Sequence, residues 1–536
     1  MEDQQPDDGP VPSSLIPHPS SLKFSVVIAF VLGAVSVLGY APYYMFPLPV
    51  VTLSGLIYLW SQARTPRGAA LTGFAFGLGL LLFGASWVYV SLHDFGAMPA
   101  PLATIATFLF CAIYALCHAA AGYACAWPRV APAVRIGVLA PAAWTLAEWT
   151  RGWLFTGFPW LATGYSQIPE SPLAGYAPIL GTYGVTLAVA LTAGLIVILG
   201  LRARARDEGG GRGAEGSSSL ILHPSSLAPA AILVVLWTGG WGLKQVEWTT
   251  PVGAPVNVSL LQGNVAQDMK WRAERVRPTL ETYRLLAESA PGELIIMPET
   301  ALPLFLEQVP PDYLTALTEI ARKKGGDILI GVPERAPSGE YYNSVVSIGT
   351  SPQQVYRKSH LVPFGEFIPL RPILAWIVGV LAIPLQDFAR GGPDQRPLAV
   401  AGQRVAVNIC YEDVFGEEII RQLPEATVLA NVSNVAWFGR SLAPRQHLQI
   451  AQARAIETGR SMLRATNTGL TAVIGPRGNV LAAAPEFEIA TVTNAVQGYG
   501  GATPYVRWGN YAVLALCVAL IAVATWVARR STRSAS

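Results

Sequence analysis

Residues 404–413 read Arg-Val-Ala-Val-Asn-Ile-Cys-Tyr-Glu-Asp, and this stretch decides the fold. A short apolar run of this kind predicts a strand over 404–409, and a thiol, Cys410, stands directly past its end. Two other predicted strands stop in the same way. Leu294-Ile-Ile-Met-Pro leads into Glu299, and Gln354-Val-Tyr-Arg leads into Lys358. Strand ends are rigid platforms at the rim of a sheet, where α/β folds commonly place ligands. A carboxylate, an ammonium and a thiol delivered there make a nucleophilic site. The thiolate attacks, the carboxylate takes its proton, and the cation lowers the thiol pKa or holds a developing oxyanion. Each residue also has a plainer reading: Cys410 as a core thiol, Glu299 as the cap of a helix starting near Ala301, Lys358 as a solvated edge charge. Spacing alone leaves both readings open.

Strands and helical patterns alternate around these positions. Strands are predicted at 256–262, 293–297, 327–332, 343–348, 354–357, 404–409, 427–432 and 471–475, and helices at 271–290, 313–324 and 444–459. This alternation predicts an α/β domain with layered sheets over residues 251–505.

The flanks are of another kind. Of the 536 residues, 52% are hydrophobic and only 13% charged, where soluble domains carry about 25% charged residues. Such a composition excludes a disordered chain and argues against a single soluble globule. The 37 basic residues against 34 acidic ones give a net charge of +3, with no electrostatic case for nucleic acid. Apolar runs at 24–39, 69–92, 101–127 and 177–201 approach or reach the length of a membrane span. Shorter runs lie at 48–61, 136–147 and 228–243, and a last one at 511–528. The expected plan is a polar leader (1–22), a seven-span bundle (23–250), the α/β domain, a final span (506–530) and a tail (531–536). Lys and Arg gather in alternate connections, at 64 and 67, 129 and 135, 202–212 and 529–533. The positive-inside rule then puts 251–505 outside the cytoplasm. The polar leader shows no small-residue cleavage site, so no cleavable signal is expected.

Four cysteines, Cys111, Cys117, Cys125 and Cys517, sit in apolar runs and read as small hydrophobes. Five thiols in this length make no disulfide framework. A near-repeat, Ser13–Leu22 and Ser218–Leu227, reads as low-complexity linker. Residues 372–386 carry no charge and read either as an interfacial arm or as a buried helix. Glu148 and Arg151 stand three apart at a membrane edge, in position to pair or to hold a lipid headgroup. The Gly-Phe-Pro-Trp run at 157–160 reads as an interfacial loop with aromatic anchors. No metal-ligand spacing, P-loop or dinucleotide fingerprint occurs, so no metal and no cofactor is expected.

Three segments are more specific than their spacing. Met-Pro-Glu-Thr-Ala (297–301), Tyr-Arg-Lys-Ser-His-Leu-Val-Pro-Phe-Gly-Glu-Phe (356–367) and Ile-Cys-Tyr-Glu-Asp (409–413) resemble the Glu-Lys-Cys segments of the nitrilase superfamily. Residues 360–367 (HLVPFGEF) and 148–167 (EWTRGWLFTGFPWLATGYSQ) are similar to its membrane branch, the apolipoprotein N-acyltransferases. The resemblance runs from about residue 24 to residue 530 and implies a membrane helical bundle of about eight spans joined to an αββα sandwich.

It further implies Glu299 as general base, Lys358 as transition-state cation and Cys410 as nucleophile. Glu366 would support the lysine, Tyr411 and Glu412 would shape the pocket, and Trp271 and Asn343 would contact substrate. Val435 departs from the pattern, since the family more usually carries an acidic residue there. The implied reaction passes an acyl chain from a membrane phospholipid, through a Cys thioester, to the α-amine of the diacylglyceryl Cys of an apolipoprotein. The implied location is the inner membrane, with the catalytic domain on the periplasmic side. A membrane-tethered amidase acting on a small soluble substrate would use the same triad.

Overall fold

The computed structural model describes residues 22–128, 130–209, 224–369 and 387–533. The apolar segment 372–386 and most of both repeat copies lie outside these residues.

Helices occupy all eight apolar stretches: Leu22–Ser36, Pro47–Gln62, Pro66–Gly84, Ala100–Ala126, Ala140–Arg151, Ala177–Gly209, Pro224–Lys244 and Tyr511–Arg533. Among the described residues, five helical segments, starting at residues 22, 66, 100, 172 and 227, are long and apolar enough to cross a membrane. The other three helices have shorter apolar lengths than the ~20 residues a straight crossing needs. Helix length alone therefore supports fewer crossings than the eight expected. The helix ending at Lys244 is longer than its apolar run suggested, because it starts in the Ser-Pro-rich stretch at Pro224. Within the bundle, small residues let backbones approach closely. A Cβ on Gly33 would lie 2.0 Å from the Phe76 carbonyl oxygen, and one on Gly79 would lie 2.2 Å from that of Phe30. Trp60, Phe76 and Trp144 fill the space beside this contact.

The α/β part holds two six-stranded sheets. The first is built from β1 (Thr250–Gln262), β2 (Leu294–Ile296), β3 (Asp327–Arg335), β4 (Tyr341–Gly349) and β5 (Val355–Arg357), with β12 (Ala490–Gly500) beside β1. The second runs in sequence order from β6 (Leu398–Val400) through β7 (Gln403–Ile409), β8 (Val428–Ser433), β9 (Met462–Thr466) and β10 (Ala472–Ile474) to β11 (Val480–Ala483). Strands β6, β9, β11 and β12 had no counterpart in the sequence expectation. Each sheet has a parallel centre, β1–β2–β3 and β7–β8–β9, and antiparallel edges.

The two-residue period of a strand sorts the core. Val258, Leu260, Leu294 and Ile296 meet Val405, Val407 and Ile409 between the sheets. The alternate residues, Leu261 and Ile295, lie under the helix Ala273–Ser289, and Ala406 and Leu429 lie under the helix Ala443–Thr458. The result is an αββα sandwich.

The helix Ala443–Thr458 joins the sandwich to the bundle. Every residue in it except Arg445 is buried. Leu448, Ala451 and Ala455 pack on the second sheet, while Ala443, Ile450, Ala453 and Ile456 belong to the hydrophobic core of the bundle. Three of its polar side chains bond the bundle backbone. The Gln446 amide donates to the Gly84 carbonyl (3.1 Å), the Gln449 amide to that of Ile168 (2.8 Å), and Glu457 accepts from the Thr182 N–H (2.7 Å).

Candidate active site

Glu299, Lys358 and Cys410 each follow the end of a strand: β2 ends three residues earlier, β5 and β7 immediately before. Glu299 and Lys358 come from one sheet and Cys410 from the other, so the cluster sits on the seam between them. Cys410 adopts φ +54, a left-handed conformation unfavourable for a residue with a Cβ. Such strain persists only where the surroundings fix it, and it concentrates at functional positions.

The side chains form one buried network. Lys358 Nζ lies 3.3 Å from Glu299 Oε1 and 2.9 Å from Glu366 Oε1. The Asn343 amide donates to the same two oxygens at 2.8 and 3.0 Å. Asn434 N–H donates to Glu299 Oε2 (2.8 Å), and Val362 N–H to Glu366 Oε2 (2.8 Å). Glu412 ties the lysine loop to the strand that ends at Cys410. Its two oxygens accept from the N–H groups of Ser359, His360 and Ile409 and from the Tyr356 hydroxyl.

Electrostatics set the protonation states. Burial alone would raise the Glu299 carboxyl. Lys358, the Asn343 amide, the Asn434 N–H and Lys270 outweigh it and hold the group below the usual carboxylate range. Burial works against the Lys358 ammonium too, but Glu299 and Glu366 push its pKa above the ordinary lysine value. Burial and then Glu299 raise the Cys410 thiol, with Lys358 opposing. The resting arrangement is a neutral thiol facing an ionised carboxylate and an ammonium. A thiol so placed needs a proton acceptor before it attacks, and Glu299 is the carboxylate that acts on it most strongly.

Two backbone carbonyls of the bundle brace this cluster. Tyr411, next to the thiol, donates its hydroxyl to the Gly157 carbonyl (2.9 Å). His360 Nε2 lies 3.0 Å from the Thr156 carbonyl, and its ring stacks on Phe415 with centroids 3.8 Å apart. Gly157 has φ +87, and a Cβ there would lie 2.1 Å from the Gly152 carbonyl oxygen, so this loop requires glycine.

Several expectations change. Glu148 and Arg151 make no ion pair among the described residues. The Glu148 carboxylate accepts from Thr163 and Thr186, while Arg151 Nη1 donates to the carbonyls of Phe158 and Trp160. The chain beyond the helix folds back and supplies nearer partners than the i,i+3 neighbour. Phe158 and Trp160 are not surface anchors either, being buried at 4% and 1% exposure against Trp87 and Phe438. The exposed aromatics of this loop are Trp153 and Phe155. Trp271 is half-buried in the turn before the helix Ala273–Ser289, and the side chain reaching the site from that turn is its neighbour Lys270. Asn434 and Lys270 were absent from the expected site, although each is the chain neighbour of a residue named above, Val435 and Trp271. Val435 is buried against Gly469, so that position packs instead of accepting a hydrogen bond.

A buried Glu–Lys–Cys cluster on the seam of an αββα sandwich, fused to apolar helices, defines a membrane-bound member of the nitrilase superfamily. Residues 257–505 match the carbon-nitrogen hydrolase family, and residues 32–195 match the apolipoprotein N-acyltransferase N-terminal domain. The chain is 52% identical to an apolipoprotein N-acyltransferase of Nitrosomonas europaea, covering 95% of this chain and 99% of that one. It is 44% identical to one of Chromobacterium violaceum, covering 94% of each chain, and 42% identical to one of Methylococcus capsulatus, covering 95% and 97%. The chain belongs to the apolipoprotein N-acyltransferase family.

Proposed function

We propose that this protein N-acylates lipoproteins in two steps at Cys410, in the inner membrane, with residues 251–505 on the periplasmic side. The observation that carries the reading is the buried Lys358 ammonium held between the Glu299 and Glu366 carboxylates next to the strained Cys410. In the first step the thiol proton passes to Glu299 and the sulfur attacks the acyl carbonyl carbon of a phospholipid ester. The oxyanion that develops is stabilised by Lys358. The ester C–O bond breaks, protonated Glu299 returns the proton to the glycerol oxygen, and a lysophospholipid leaves a thioester on Cys410. In the second step the neutral α-amine of a diacylglyceryl Cys attacks the thioester. Glu299 accepts the amine proton, the C–S bond breaks, and the thiolate recovers a proton as the amide departs.

Glu366 and Asn343 hold Lys358 and Glu299 in register, Glu412 and Tyr411 place the nucleophile turn, and Trp271 contacts substrate at the mouth. The positive-inside asymmetry supports the orientation, and the near-complete coverage of the relatives supports the substrate class.

Intact-mass analysis after incubation with phospholipid tests the reading. The expected result is a gain of one acyl chain on Cys410, discharged by a diacylglyceryl-Cys peptide. Release of ammonia from small amides with no acyl gain from phospholipid would replace it with the tethered amidase.

A further inference from the structure

A second lysine reaches the backbone that carries the Glu299 carboxylate. Lys270 lies in the turn before the helix Ala273–Ser289 and is 2% exposed, which is rare for a lysine without a carboxylate partner. Its ammonium donates to the Thr300 hydroxyl (2.5 Å) and to the main-chain carbonyl of Glu299 (3.3 Å). Thr300 itself holds φ +45, a costly conformation for a β-branched residue. A buried charge is expensive, and here it is spent on the two residues that carry the site carboxylate.

We propose that Lys270 is a positioning residue of the reaction: it clamps the strained Glu299–Thr300 turn and supplies a second positive charge to the Glu299 carboxylate and the Cys410 thiol. Two ammonium groups, Lys358 and Lys270, then act on the Glu299 carboxylate, and moving the thiol proton to Glu299 leaves the net charge of the site unchanged. The titratable groups facing Lys270 are Glu299, from the segment after β2, and Cys410, from the end of β7. The segment after β8 reaches the turn through an uncharged pair, Asn434 with Gln267. Burial lowers the Lys270 ammonium to about 8, with Glu299 and Cys410 opposing, so it is charged at neutral pH and loses that charge in mildly alkaline solution.

The role rests on the proposed function, and its test needs no lipid. The full-length protein is alkylated at Cys410 with iodoacetamide across the pH range. Removing a nearby cation makes both acids harder to ionise, so Lys270→Met moves the profile to higher pH by about one unit, a tenfold change in proton concentration. Lys270→Arg keeps the charge at all pH values. It preserves the low-pH part of the profile and removes the inflection that Lys270 gives near pH 8. Superimposable profiles for wild type and Lys270→Arg, or for wild type and Lys270→Met, would overturn the proposal. The arginine arm decides alone if the methionine variant fails to accumulate. Failure of acyl transfer with shifted alkylation profiles would reject the two-step reading and leave Lys270 standing.

Discussion

At Cys410 the chain accepts a left-handed backbone so that one sulfur faces a carboxylate and an ammonium contributed by the other sheet. Cys410→Ala should abolish the acyl-enzyme mass gain while the protein remains folded in the membrane. Acyl transfer persisting in that variant would end the assignment. Glu299→Gln keeps an acceptor for Asn434 but cannot take the thiol proton, and thioester formation should fall by about 10²–10⁴, the usual worth of a positioned base. Glu412 gives a stability test. Burial raises its carboxyl to about 7, against about 4.3 for an exposed Glu. Between these values the folded chain holds a proton that the unfolded chain has released, so this group's contribution to stability declines as pH rises through that window and is flat above it. Glu412→Gln should flatten the pH dependence of the denaturation midpoint between about pH 5 and 7. An unchanged slope would show that Glu412 is not the group responsible. The Glu299–Lys358–Cys410 cluster was legible because each residue follows a predicted strand, at the rim where a polar side chain stands out. Lys270 was not, since a lysine in Gln-Asp-Met-Lys-Trp-Arg looks like any solvated charge until the fold turns it inward.

Among elements, eight strands were readable and four, β6, β9, β11 and β12, were not. β9 was missed because Met462–Thr466 has Arg464 at its centre. That guanidinium is buried and reaches Asp413 (3.2 Å) and Asn431 (2.6 Å). β12 holds the sheet edge with two glycines, Gly498 and Gly500, which mask its pattern. The loop after the helix Ala140–Arg151 was read as a membrane-surface anchor because its aromatics suggested one, yet it is the joint between bundle and sandwich. Trp160 donates to Gln446 (2.7 Å) and stacks among Trp87, Phe158 and Phe438. Trp160→Ala should cost about 3–5 kcal/mol, the range for emptying a buried aromatic site. It should lower the thermal midpoint together with acyl transfer. Loss of activity at unchanged melting temperature would mean that the side chain acts on substrate instead of on packing.

For the whole molecule, the proposed orientation rests on where the charges lie. A membrane-impermeant thiol reagent applied to intact spheroplasts should label Ser338→Cys, in an exposed turn of the sandwich, and should not label Arg67→Cys. The reverse pattern would invert the topology. The buried helix Ala443–Thr458 has a consequence for how the protein comes apart. Because its residues are shared between the bundle core and the sandwich core, neither half has a complete interior of its own. Melting in a mild detergent should therefore give one cooperative transition, with hydrogen exchange at the Glu299 and Cys410 strands and at the bundle helices collapsing together. A fragment of residues 251–505 alone would present Ile450, Ala453 and Ile456 to water beside the unpartnered Gln446 and Gln449 side chains, and it should aggregate instead of folding as a free hydrolase. The bundle is synthesised first, so it is already in the bilayer when the catalytic chain emerges, and it serves as the surface on which that chain completes its core.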